Sequence, residues 1–123
     1  MLAAGTARVD ITPPIGIAHA GWGAQSHEGA EGIDMPLTIT ALVIESAGNS
    51  DPAGRIAILD IDTCMLVEAY DLAIRAAVTE KSGIPASNQR VSYTHTHSGP
   101  IEGLSWITKG SEMVEPWFHS MAP

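Results

Sequence analysis

The chain has 123 residues, 45% of them apolar, enough for one small core or part of a larger one. Its formal net charge is −8, from 14 acidic against 6 basic side chains, and the basic residues stand singly along the chain. This excludes a nucleic-acid surface, which needs clustered Lys and Arg to replace the counterions on phosphates, and docking to anionic lipid by charge alone.

Cys64 is the one cysteine, so neither an internal disulfide nor a cysteine-rich zinc knuckle can form. That usage suits a reducing compartment. The opening Met1-Leu2-Ala3-Ala4-Gly5 lacks the basic residue and long apolar run of a signal peptide, and no stretch approaches the ~20 apolar residues of a membrane span. A cytoplasmic or unassigned location is the expectation, with the oligomeric state left open. Of six aromatic residues, Trp106, Trp117 and Phe118 fall near the end. They read as an apolar tail that a longer protein would bury.

In chain order, residues 6–12 alternate weakly and stop at Pro13-Pro14, a short strand. Residues 13–35 carry five glycines and little periodicity. A loop that long is unusual in a small domain unless it serves as a lid or a pocket wall. Residues 37–45 are β-branched and apolar, end in the turn signal Gly48-Asn49-Ser50-Asp51-Pro52, and lead into a second run at 55–61, so an antiparallel hairpin is expected. Residues 64–82 switch to helical spacing, with Asp62 or Thr63 as cap and Gly83 and Pro85 as stop. Residues 90–96 return to period 2. Strand, helix and strand within about 40 residues predict a βαβ crossover with 55–61 and 90–96 parallel. The fold class is therefore α/β, a mixed sheet with a βαβ crossover. Asp62 and His95 then fall at the carboxyl ends of parallel strands, the rim where such sheets bind ligands.

Tyr93-Thr94-His95-Thr96-His97-Ser98-Gly99-Pro100 carries the chemistry. On a strand, residues two apart share a face, and two imidazoles so placed suit a divalent ion. Spacing alone leaves a second reading open, a pair of inert imidazoles at a strand end.

The block Thr94-His95-Thr96-His97-Ser98-Gly99-Pro100 resembles the signature of the neutral ceramidase family. Three more blocks follow that family's order: Ala7-Arg8-Val9-Asp10-Ile11-Thr12-Pro13-Pro14, Gly32-Ile33-Asp34-Met35-Pro36-Leu37 with Ala41-Leu42-Val43-Ile44, and Ile58-Leu59-Asp60-Ile61-Asp62. The likeness spans about residues 5–105. It implies that 1–123 is a partial amino-terminal segment of an α/β zinc hydrolase domain. The activity implied for the complete protein is hydrolysis of an N-acyl amide bond in a ceramide-like lipid, releasing fatty acid and a sphingoid base. It also implies His95 as a zinc ligand and His97 as a catalytic residue beside the metal, facing substrate or oxyanion. The family's other ligands, a second His, a Glu and a Tyr, match no position here. The chain departs from the family at Ile101-Glu102-Gly103, where Gly-Gly-Tyr is usual. A carboxylate there, near the mouth of the site, points toward a different substrate.

Asp62 has two readings, a carboxylate orienting a metal-bound imidazole or a helix cap, and the cap is favoured. Asp10 reads as a turn former, His19 and His27 as exposed and inert, Trp22 as a pocket wall or a loop anchor, and Cys64 as a small packing residue. Two competing functions stand beside the hydrolase. One is a non-catalytic binding module with an incomplete metal site. The other is a related zinc hydrolase acting on another amide or ester.

Overall fold

The computed structural model describes residues 1–123 except Ala20, Trp22, Leu104, Ser105 and Pro123. Trp22, expected to wall a pocket or anchor its loop, thus lies outside the described residues.

Four strands form one mixed sheet in the order β1-β2-β3-β4. β1 (Leu2–Asp10) pairs antiparallel with β2 (Thr38–Ser46), and β2 pairs antiparallel with β3 (Ile56–Ile61). A connection containing α1 (Glu68–Ser82) returns the chain to β4 (Gln89–Tyr93), which lies parallel to β3 with Ile61 opposite Tyr93. The α/β class, the hairpin and the parallel crossover all agree with the sequence patterns. β1 begins four residues earlier than expected, and all nine of its residues are exposed.

The start of α1 differs from expectation. The helix begins at Glu68, and its N-cap is Val67, which makes no side-chain capping bond. Asp62 does not cap it, because its carboxylate Oδ2 accepts from the Thr38 backbone N–H (2.8 Å) and the Thr38 hydroxyl (3.0 Å). Thr63 is fully buried in the irregular lead-in and its hydroxyl donates to the Met65 carbonyl. At the other end Gly83 takes φ 73° and its N–H closes on the Thr79 carbonyl, the left-handed stop that glycine permits.

Burial of Ile39, Ala57, Leu59, Ile61, Ile74 and Ile84 joins the sheet to α1. Polar bonds fix the angle between them. The Asp71 carboxylate accepts from the Arg75 Nε–H (2.6 Å) and the Tyr93 hydroxyl (2.6 Å), while Arg75 Nη1 donates to the Gln89 carbonyl (2.7 Å). One cluster of half-buried groups thus ties α1 to both ends of β4. Burial opposes ionisation of Asp71, but the bonds from Arg75 and Tyr93 outweigh it and hold the carboxyl below its ordinary value. Burial and the Asp71 carboxylate push the Tyr93 phenol up to about 12.

A second core joins the glycine-rich loop to the end of the chain. Ile17, Ala18, Tyr70 and Ile107 pack with Val114, Trp117 and Phe118, the last three from the short helix α2 (Val114–Ser120). Tyr70 stacks on Phe118, and Trp117 donates its indole N–H to the Ile11 carbonyl at 2.7 Å. Trp117 and Phe118 are therefore buried by this chain itself, against expectation, while Trp106 is exposed. Gly110 makes the junction possible. It has φ 77°, its carbonyl accepts from the Ala18 N–H, and a Cβ there would collide with the Gly16 carbonyl oxygen and lie 2.7 Å from the Ala18 nitrogen.

Two predictions follow from these junctions. Gly110→Ala adds both backbone strain and a clash with main-chain atoms, and should cost about 3 kcal/mol or more in a urea melt. Asp71→Asn should cost about 1–3 kcal/mol at neutral pH. Because the Asp71 pKa is lowered on folding, its contribution is present above the unfolded carboxylate value and is lost as pH falls through the folded one. The raised Tyr93 value works the other way, present below about 10 and lost as pH rises through about 12. The gap between the parent and Asp71→Asn should therefore close at both extremes; a gap independent of pH would refute the pairing.

Candidate functional site

Parallel pairing ends β3 and β4 side by side, so the segments that follow leave the sheet at the same edge. Asp62, Thr63 and Cys64 follow β3; Thr94 to His97 follow β4. Two backbone bonds stitch them together, Thr94 N–H to Ile61 carbonyl (3.1 Å) and His95 N–H to Thr63 carbonyl (3.0 Å).

β4 stops at Tyr93, so the two histidines are not strand neighbours sharing a face. His95 takes φ 60°, the one non-glycine residue in the left-handed region among the described residues. The turn nevertheless brings the rings together, with centroids 5.1 Å apart and planes nearly perpendicular. His95 is exposed and His97 is half-buried, with its Nδ1 buried and lacking a partner among the described residues.

Cys64, which the sequence suggests is a small packing residue, is buried and lies against both rings. Its Sγ lies 3.5 Å from His95 Nδ1 and 3.9 Å from His97 Nε2. The ligand atoms of Cys64, His95 and His97 all lie within 4.8 Å of one another. One sulfur and two imidazole nitrogens are donors that borderline-soft divalent metals accept, so the residues present fit such an ion. The Cys64 carbonyl sits 2.9 Å from His95 Nδ1. A carbonyl only accepts, so Nδ1 carries the ring proton. Burial pushes the Cys64 thiol up, which keeps the sulfur protonated and unreactive at neutral pH without a metal. Cysteine 31 residues before His95 forms no local spacing motif; only the parallel register of β3 and β4 reveals the neighbourhood.

Beside the histidine turn lies a cavity of about 440 Å³, lined by Thr96 of that turn but by neither His95 nor His97. Ile15, Ile17, Ile33, Met35 and Leu37 give it an apolar wall, and Asp34, Asp62, His19, Thr96 and Ser98 add polar groups. The glycine-rich loop is a pocket wall, as its length suggested. Asp62 faces this cavity with its carboxylate engaged by Thr38. Glu102, expected near the mouth, is absent from the lining, and its Oε2 is buried without a partner among the described residues.

His19 and His27 are half-buried and paired, not exposed. Their Nε2 atoms are 3.1 Å apart across an antiparallel bridge formed by Ala18 and Gly29. Burial, then the neighbouring His27 ring, pulls the His19 pKa below its ordinary value. Asp10 does form its turn, accepting from the Thr12 N–H at 2.7 Å. No helix among the described residues is long and apolar enough to cross a membrane.

No family model and no curated protein matches the chain. Among solved structures, a ceramidase complexed with C2 is similar at 28% identity and a TM-score of 0.66, over 81% of this chain and 15% of that one. The neutral ceramidase of Pseudomonas aeruginosa is similar at the same identity and TM-score, over 81% of this chain and 16% of its own. The chain thus spans about a sixth of the length of the structures it matches. In fold and in sequence it is similar to part of a neutral ceramidase.

Proposed function

We propose that this chain supplies part of the active site of a zinc-dependent hydrolase that cleaves N-acyl amide bonds, on a ceramide-like lipid yielding fatty acid and a sphingoid base. The observation that carries this reading is the His95–His97 turn, whose Thr96 lines a cavity with an apolar wall, in a chain whose solved neighbours are ceramidases. His95 holds the metal through a ring nitrogen, and the remaining donors come from outside this chain. Zinc, when bound, supplies a water of lowered pKa and polarises the amide carbonyl.

This chain's own residues bind, orient and move protons. The apolar wall of Ile15, Ile17, Ile33, Met35 and Leu37 takes hydrocarbon and excludes water from the reacting bond. His97 stands beside His95, half-buried, and donates a hydrogen bond to the developing oxyanion or a proton to the leaving amine. Asp62 holds the Thr38 end of β2 against the site, which supports a role in shaping the rim.

A second reading keeps the hydrolysis and changes the substrate. Asp34 and Asp62 bring two carboxylates to the cavity wall, which disfavours anionic head groups and favours a substrate bearing an amine. Comparing hydrolysis of N-acyl sphingoid bases with that of simpler acyl amides and esters separates the two.

The test of the metal reading uses the enzyme that carries this chain. His95→Asn, chosen because asparagine tolerates the left-handed backbone, should remove zinc and activity together. His97→Ala should leave the metal content unchanged and lower kcat by about 10²–10³-fold. Metal content by atomic emission and amide hydrolysis by chromatography read both effects. Full activity in the His95 variant would overturn the assignment.

A further inference from the structure

His19 and His27 have no role in the hydrolase reading, yet the fold holds their rings against each other. The two arms of the glycine-rich loop meet at the bridge between Ala18 and Gly29, and the His19 N–H donates to the Glu28 carbonyl at 3.1 Å. Gln25 braces the turn between the arms, donating to the His27 carbonyl (2.7 Å) and accepting from the Gly21 N–H (3.3 Å). Both rings are half-buried, and their Nε2 atoms stand 3.1 Å apart.

We propose that His19 and His27 form a two-imidazole clip for a borderline-soft divalent ion such as zinc, a site separate from the histidine turn after β4. Metal–nitrogen bonds of ~2.0–2.1 Å, meeting between a right angle and the tetrahedral angle, put two ring nitrogens about 2.9–3.4 Å apart. The observed 3.1 Å falls in that span. A straight N–H···N bond gives a similar distance, but it sets the two rings end to end. Here the centroids are only 5.0 Å apart and the planes tilt by 48°, so the rings bend toward each other, as two ligands of one ion do.

The ring chemistry agrees. Burial, then the His27 ring, lowers the His19 pKa, which keeps this imidazole neutral and its lone pair free for an ion at neutral pH. Its Nδ1 is buried without a hydrogen-bond partner among the described residues, while the His97 backbone favours a proton on the ring. With Nε2 turned to His27, a proton on Nδ1 answers that pull and aims the Nε2 lone pair into the clip. His27 Nε2 then carries the proton of the metal-free pair. On binding, that proton goes to solvent and another is taken up at His27 Nδ1, so the proton count is unchanged. Glu28, Glu31 and Lys109 border a second cavity on the His27 side. Lys109 opposes a cation there, but the two carboxylates outnumber it and, with water, supply the oxygen donors for the remaining positions. His19 also lines the apolar-walled cavity, so an ion in the clip fastens one wall of the candidate site.

The experiment is calorimetric titration with Zn²⁺ of the metal-free enzyme that carries this chain, comparing the parent with His19→Gln, His27→Gln and His95→Asn. Glutamine keeps an amide that hydrogen-bonds the remaining imidazole, so the loop contact survives while a ring ligand is lost. Circular dichroism checks the fold of each variant. Both glutamine variants should lose one equivalent of zinc that His95→Asn retains. A second reading needs no variant: zinc should slow carbethoxylation of His19 and His27 in the parent, followed residue by residue by mass spectrometry. Unchanged zinc binding in both glutamine variants, or unchanged reactivity of both histidines, overturns the clip. The clip does not use His95, so the two metal assignments fail separately. Zinc lost only in His95→Asn overturns the clip and supports the hydrolase reading; zinc lost only in the glutamine variants does the reverse.

Discussion

Parallel pairing between β3 and β4 is the constraint on which the site depends. Opposing Ile61 to Tyr93 ends the two strands level, so the chain leaving each one emerges at one edge. A slip of one residue would turn every side chain of β4 to the other face and carry the histidine turn away from Cys64. The register is therefore guarded by more than the ladder. Asp71, Arg75 and Tyr93 bind α1 to one end of β4, and Arg75 reaches the Gln89 carbonyl at the other. Gln89, itself buried, donates to the Ile84 carbonyl and to the Thr79 hydroxyl, pinning the connection between helix and strand.

The other side of the site is built by a different economy of structure. The glycine-rich loop has little regular secondary structure to organise it, so it leans on the end of the chain. Gly110 brings two backbones into contact, and Trp117 closes the gap to Ile11. That contact spans more than 100 residues, so its loop-closure entropy is offset only when the aromatic cluster is buried as well. The cavity wall is thus coupled to the packing of α2, although no residue of α2 lines the cavity.

The frame was legible in the sequence because periodicity reports burial. The hairpin of β2 and β3, the helical face with Tyr70 and Ile74, and the return to β4 each follow from the spacing of apolar residues. The histidine pair was legible as residues but not as geometry. Its rings meet through a left-handed turn at His95 and not through strand alternation, and a local pattern gives no warning of φ 60° at a histidine. Asp62 was misread as a cap because an acidic residue before a helical run looks alike whether its carboxylate meets the helix or the next strand. Cys64, and the pairing of His19 with His27, depend on chain segments meeting in space, which composition and spacing do not encode. The burial of Trp117 and Phe118 was missed for the same reason, since their partners Ile17 and Ala18 lie at the other end of the sequence.

β1 has a consequence for how this chain behaves in bulk. It is long, exposed on every residue, and terminal in the sheet, so neither β2 nor any other described strand pairs its outer edge. An open edge of this kind is a template for another copy of itself, and Leu2 and Val9 offer apolar contacts to reward the match. For this stretch by itself, what opposes the match at neutral pH is repulsion between copies that each carry a charge of −8. That protection fades toward the isoelectric point near 4.8. Colloidal stability of the chain is thus set by the balance between a strand that invites growth and an acid content that keeps copies apart, and mild acid tips it toward association.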